Sequence, residues 1–165
     1  MRLKRIARHL FATPLAVRRA IPPEALAAIE KEIARAETTH SGEIRFAVEA
    51  ALDAGALFAS LSARERALQV FAELGVWDTE QNNGVLIYLL LAEHDVEIVA
   101  DRGVDRKVGA QAWEEICHAM EAAFSQGRFA EGVIAGVHAV AGHLARHFPP
   151  QASPRNELPD KPVVL

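Results

Sequence analysis

Two short segments hold most of the side chains that could do chemistry: Trp77-Asp78-Thr79-Glu80-Gln81-Asn82-Asn83-Gly84 and Asp101-Arg102-Gly103-Val104-Asp105. Asp78, Glu80, Asn82, Asn83, Asp101 and Asp105 offer hard oxygen donors of the kind that Ca²⁺ or Mg²⁺ takes. Their spacing is not that of a helix-loop-helix calcium loop, so ion binding would depend on the two segments meeting in space. Arg102 and Arg106 stand at and beside the second segment and are the candidates for contact with a phosphate. A structural reading competes with the chemical one: Asn83-Gly84 makes a turn, and Asp101 pairs with Arg102 or Arg106.

Elsewhere the reactive residue types are poorly arranged for catalysis. His143 and His147 sit one helical turn apart, a spacing that can chelate zinc, but no Glu completes an H-E-x-x-H pattern. Near a helix C-terminus they more readily answer the helix dipole. Cys117 and His118 are adjacent on a helix and point apart, so they make a poor nucleophile and base pair. Cys117 falls on an apolar stripe and reads as core. The chain shows no Ser/His/Asp order, no phosphate-cradling glycine loop and no CxxC.

The elements that must position the two segments follow from periodicity. Leu3, Ile6, Ala7, Leu10 and Phe11 recur at helical spacing among Lys4, Arg5 and Arg8, a short basic amphipathic helix. It suits either packing on its own domain or weak contact with an anionic membrane surface through residues 2–11. Pro22 and Pro23 open a helix with the stripe Leu26, Ile29, Ile33 and Ala36, which ends near Thr38 to Gly42. The period then changes to two: Ile44, Phe46 and Val48 alternate with Glu43, Arg45, Ala47 and Glu49, a strand with one more polar face.

Ser62-Ala63-Arg64-Glu65 fits a capping box, and Gly75 stops the helix it starts. The apolar run from Val85 to Leu91 reads as a central strand covered on both faces. Val96 to Ala100 follows a short polar connection and should pair with it antiparallel, while the first strand, reached through a helix, should lie parallel. In such a hairpin the start of one strand lies beside the end of the next. The Asp78 loop and the Asp101 loop are therefore expected to be neighbours.

Two further helices carry Trp113, Ile116, Cys117, Met120 and Phe124, and then Phe129, Val133, Val137, Val140, Leu144 and Phe148. Helices thus flank a small mixed sheet, an α/β class. Three regions are expected: a basic amphipathic segment over 1–21, an α/β domain over 22–148, and a tail over 149–165 with five prolines. The tail is too proline-rich for a helix. Its apolar end, Pro162 to Leu165, suits either strand addition to a sheet edge, in cis or on a partner, or disorder.

Bulk composition narrows the function classes. Half of the 165 residues are hydrophobic, enough for one core, and a single cysteine leaves no internal disulfide. Residues 1–23 carry six Lys or Arg and no acid; the remainder has 12 basic against 22 acidic residues, net −10. So acidic a domain argues against nucleic acid as main partner. No apolar run approaches a membrane span and no secretory leader is evident, so a cytoplasmic protein is expected.

Leu74-Gly75-Val76, Asn82-Asn83-Gly84-Val85-Leu86-Ile87, Val96 to Gly103, Phe124-Ser125-Gln126-Gly127-Arg128-Phe129 and Glu131 to Gly136 together resemble the TPM domain family. That family occurs in bacterial envelope proteins and in thylakoid lumen proteins linked to photosystem II repair. The likeness covers about Pro23 to Phe148 and implies a three-layer α/β/α sandwich. It also implies two functions, since some members are described as acid phosphatases and others as calcium-binding domains. Most relatives carry a signal peptide and a membrane helix, so this chain resembles a cytoplasmic branch. It departs from the pattern where Asp101 replaces the first glycine of a Gly-x-Gly turn and Ala110 stands near the position of an acidic residue.

The resulting expectation is a non-catalytic binding or scaffolding module, holding a divalent cation at Asp78, Glu80, Asn82, Asn83, Asp101 and Asp105 and meeting a membrane-associated protein partner. The alternative is a metal-assisted acid phosphatase in which the same cation polarises a phosphoryl oxygen and Arg102 and Arg106 hold the phosphate.

Overall fold

Strand order follows from which runs can be buried on both sides. In the computed structural model, which describes residues 2–152 and 155–165, β1 (Glu43–Glu49) lies parallel to β2 (Gly84–Leu90), with Glu43 opposite Gly84 and Glu49 opposite Leu90. β3 (Asp95–Ala100) returns antiparallel through a 3-10 turn at Leu91–Glu93, placing Val85 opposite Ala100. The tail supplies β4 (Val163–Val164), parallel to β1 at Ala47 and Val48, so the sheet runs β3-β2-β1-β4. Of the alternatives open to the tail, strand addition in cis is the one adopted. The expected roles of Leu3 in the first apolar stripe and of Pro154 in the tail fall outside the described side chains and residues.

Alternation along the strands divides the core in two. Ile44, Phe46, Val48, Val85, Ile87, Leu89, Val96 and Ile98 face α3 (Pro23–Glu37), α7 (Ala110–Phe124) and α8 (Phe129–His147). Ala47, Leu86, Tyr88, Leu90 and Val99 face α5 (Ala63–Glu73), with Leu158 of the tail on the same side. Every residue of β2 is buried, as its unbroken apolar run requires. The expected α/β/α sandwich is present.

The capping box at Ser62 and Glu65 forms in both directions. Four short elements had no clear periodic signal: α2 (Pro14–Ala20), α4 (Ala54–Phe58), α6 (Arg102–Val108) and β4. α1 (Arg2–Phe11) packs on its own domain through Arg5 and His9, both bonded to Glu93 at 2.7 Å. Among the described residues, no helix is long and apolar enough to cross a membrane.

The polar face of β1 is not solvated. Glu43 and Arg45 are 3% and 6% exposed, and the tail covers both. Glu49 accepts the Tyr88 hydroxyl at 2.6 Å and pairs with Arg66 of α5 at 2.9 Å. Leu165 N donates to Val48 O at 2.9 Å and closes the edge.

Gly84 opens β2 under the carbonyl of Val76, where an added Cβ would lie 2.0 Å from Val76 O. Backbone on both sides leaves little room to yield. Gly84→Ala should therefore cost about 3 kcal/mol in denaturant unfolding; an unchanged midpoint would contradict that close approach.

Candidate functional site

The loop entering β2 is built by its own polar side chains. Gly75 ends the α5 region with φ +64, and Asp78 N then donates to Gly75 O at 3.0 Å. Thr79 Oγ1 accepts Asn83 N at 3.0 Å, and Asn82 takes a left-handed conformation (φ +51) that Asn tolerates. Asn83 then reaches across to the entry of β1, its Nδ2 donating to Ser41 O at 2.7 Å. In the second turn Asp101 N donates to Gly84 O at 2.9 Å, while Asp101 Oδ1 accepts Arg102 N at 2.6 Å and caps α6.

These two loops touch. A Cβ on Gly103 would fall 2.4 Å from Asn82 O and 3.0 Å from Gln81 O, so only glycine permits the contact. The rim they form lies at the amino ends of β1 and β2 and the carboxyl end of β3. It is thus opposite the carboxyl end of the parallel strands, where open α/β sheets commonly bind ligands.

The six oxygen-bearing residues are not equivalent. Asp78, Glu80 and Asn82 are exposed on the first loop, whereas Asn83 and Asp101 are buried. Asn83 Oδ1 and Asp101 Oδ2 have no hydrogen-bond partner. Asp105 is drawn away: its Oδ1 accepts Trp113 Nε1 at 3.2 Å, and it lines a separate cleft between β3 and α7 with Asp95, Glu97, Cys117 and His118. Among the described residues, no three His, Cys, Asp or Glu side chains are gathered closely enough to hold a metal ion by themselves. Arg102 and Arg106 are exposed one turn apart on α6, and Asp101 bonds to the Arg102 backbone rather than to either guanidinium.

The other candidates take structural roles. His143 stands edge-on to Trp113, with ring centroids 5.7 Å apart, and burial lowers its pKa. Burial also pushes the Cys117 thiol up to about 12, which leaves it protonated and unreactive at neutral pH.

Sequence reasoning missed a second feature of the same rim, a cleft of about 330 Å³ between the end of α3, the Glu80 loop and the tail. Glu37, Glu43, Glu80, Glu157 and Asp160 line it. Glu43 accepts the Glu157 and Leu158 amides at 3.1 Å each, and Glu80 N donates to Glu157 Oε2 at 3.0 Å. Burial drives the Glu37 pKa up to about 9, with the Glu43 and Asp160 carboxylates adding to it, although Ile44 N donates to Glu37 Oε1 at 2.8 Å. Burial likewise raises Glu43 and takes the His40 imidazole down to about 4. At neutral pH the cleft therefore holds a neutral Glu37 and a neutral His40 among carboxylates. No local signal could have found it, because Glu37 reads as helix surface until the tail, more than a hundred residues later, folds over it.

Residues 18–143 match the profile of the TPM domain. The fold is similar to the NMR structure of the BA42 protein from the psychrophilic bacterium Bizionia argentinensis, at 30% identity and a TM-score of 0.76 over 86% of this chain and 93% of that one. It is also similar to the N-terminal domain of a protein from P. gingivalis, at 20% identity and a TM-score of 0.62 over 78% and 81% of the two chains. Among curated proteins none matches.

The half-buried Glu37 sets a pH dependence. Glu37 keeps its proton in the folded state up to about 9 but loses it above about 4.5 when unfolded, so folding takes up a proton between those values. Its contribution is complete below about 4.5 and is lost as the pH rises through about 9. In urea unfolding at stepped pH, Glu37→Gln, which keeps the Ile44 contact, should flatten this decline. Parallel pH profiles for the two proteins would contradict a protonated Glu37.

Proposed function

The chain belongs to the TPM domain family, and from that premise we propose that it works as a binding module that takes a divalent cation, Ca²⁺ or Mg²⁺, at the rim where the Asp78 loop meets the Asp101 turn. The observation that carries this reading is Asp101 Oδ2, a buried carboxylate oxygen with no partner. Such an atom costs free energy wherever it is left unmatched, and a cation offsets that cost directly. Asn83 Oδ1, also buried and unpaired, and the exposed Asp78, Glu80 and Asn82 are further oxygen donors on the adjoining loop. This donor chemistry suits a hard ion, with water completing the shell where protein oxygens are too few.

Asp105 is left out of the ligand set because Trp113 holds it. A binding role rather than a catalytic one is supported by the side chains themselves: the thiol of Cys117 is held protonated, and Glu43 is engaged by tail amides. A bound cation would tie the two loops together and stiffen the rim for a protein partner.

Titration calorimetry with CaCl₂ and MgCl₂ tests the proposal. Asp101→Asn keeps a helix-capping side chain and removes the charge, and should weaken binding about tenfold, about 1.4 kcal/mol. Asp105→Asn should bind as the parent does. Absence of heat at millimolar ion, or equal affinity in Asp101→Asn protein, would overturn the assignment.

A further inference from the structure

The opposite end of the molecule has the reverse character. Beyond the carboxyl ends of β1 and β2, α1 and α2 lie in a segment, residues 1–23, that carries six Lys or Arg and no Asp or Glu. At the corner between these helices Leu10 is 73% exposed, Phe11 83% and Leu15 54%. Lys4, Arg8, Arg18 and Arg19 of the same two helices are exposed, and Arg8 and Arg19 share a groove with Phe11.

This apolar corner is held in place rather than loosely attached. Arg5 Nε donates to Glu93 Oε1 at 2.7 Å and its Nη2 donates to Leu61 O at 2.7 Å. His9 is buried, with Nε2 bonded to Glu93 Oε1 at 2.7 Å and Nδ1 accepting Leu52 N at 3.0 Å. Val17 and Ile21 sink into the core and fix α2. The face of α1 toward the domain is therefore spent on Arg5 and His9. Leu10, Phe11 and Leu15 point outward because the inward positions are taken.

Three large exposed apolar side chains in a segment that carries exposed cations and no carboxylate match a surface that is both anionic and hydrocarbon-backed. We infer that residues 4–19 form a docking face for an anionic phospholipid bilayer, with Leu10, Phe11 and Leu15 entering the interface and Lys4, Arg8, Arg18 and Arg19 lying against headgroups. The charge distribution of the whole molecule supports the orientation. The remainder of the chain is net −10, and the acidic rim lies at the far end of seven-residue strands, roughly 20 Å away. An anionic surface attracts one end, repels the other, and leaves the acidic rim facing away from the lipid. Two short helices give weak, reversible attachment rather than stable anchoring. This inference does not depend on cation binding at the rim.

The test is sedimentation of the full chain with vesicles of phosphatidylcholine alone or mixed with phosphatidylglycerol. Binding to the mixed vesicles should exceed binding to the neutral ones about tenfold and fall with added salt. Leu10→Ser with Phe11→Ser, and separately Arg8→Glu with Arg18→Glu, should each reduce it about tenfold, with circular dichroism unchanged. Equal binding to both vesicle types, no binding to either, or full binding by a correctly folded Leu10→Ser/Phe11→Ser protein would overturn the inference. So would self-association in analytical ultracentrifugation that this double substitution abolishes, since the occupant of the face would then be a second copy of the chain.

Discussion

A strand that buries two opposite charges must find partners for both, and the rest of this structure is arranged around that requirement. Glu43 and Arg45 of β1 are almost fully enclosed. Leaving either unmatched in the interior would cost several kcal/mol. The tail supplies what is missing from its backbone: the amides of Glu157 and Leu158 bond Glu43, and the carbonyls of Pro159 and Lys161 bond Arg45. A few residues later Val163 and Val164 pair with β1 and cover its open edge. The tail thus packs on the sheet face that α5 covers, and it forms one wall of the acidic cleft.

That arrangement explains which parts of the molecule were legible in the sequence. Local signals were reliable: the apolar run of β2, the polar connection before β3, the Ser62 capping box and the stripes of α7 and α8 each arise from contacts that a few neighbouring residues determine. The convergence of the Asp78 and Asp101 loops was legible too, because antiparallel pairing fixes it. What could not be read depended on distant partners. The alternation in β1 shows a polar face but not that residues 155–161 will cover it. Asp105 looks like a companion of Asp101 until Trp113, a full turn into the next helix, takes its carboxylate. Glu37 becomes a half-buried acid only once the tail has folded beside it.

The two ends of the sheet divide the chemistry between them. At the amino end, desolvated carboxylates and unpaired oxygens accumulate around Asp101, Asn83 and the tail cleft. At the carboxyl end, Glu93 is consumed in holding Arg5 and His9, which leaves the outward cations of α1 and α2 free to act on their surroundings. The membership in the TPM domain family accounts for the shared scaffold.

Amide hydrogen exchange tests the tail closure most directly. The N–H groups of Glu157, Leu158 and Leu165, bonded to Glu43 and Val48, should be protected to nearly the same degree as those of β1, because losing the tail would strand buried charge. Rapid exchange at these three positions while β1 and β2 stay protected would show that β1 tolerates its charges without the tail, and would contradict the account.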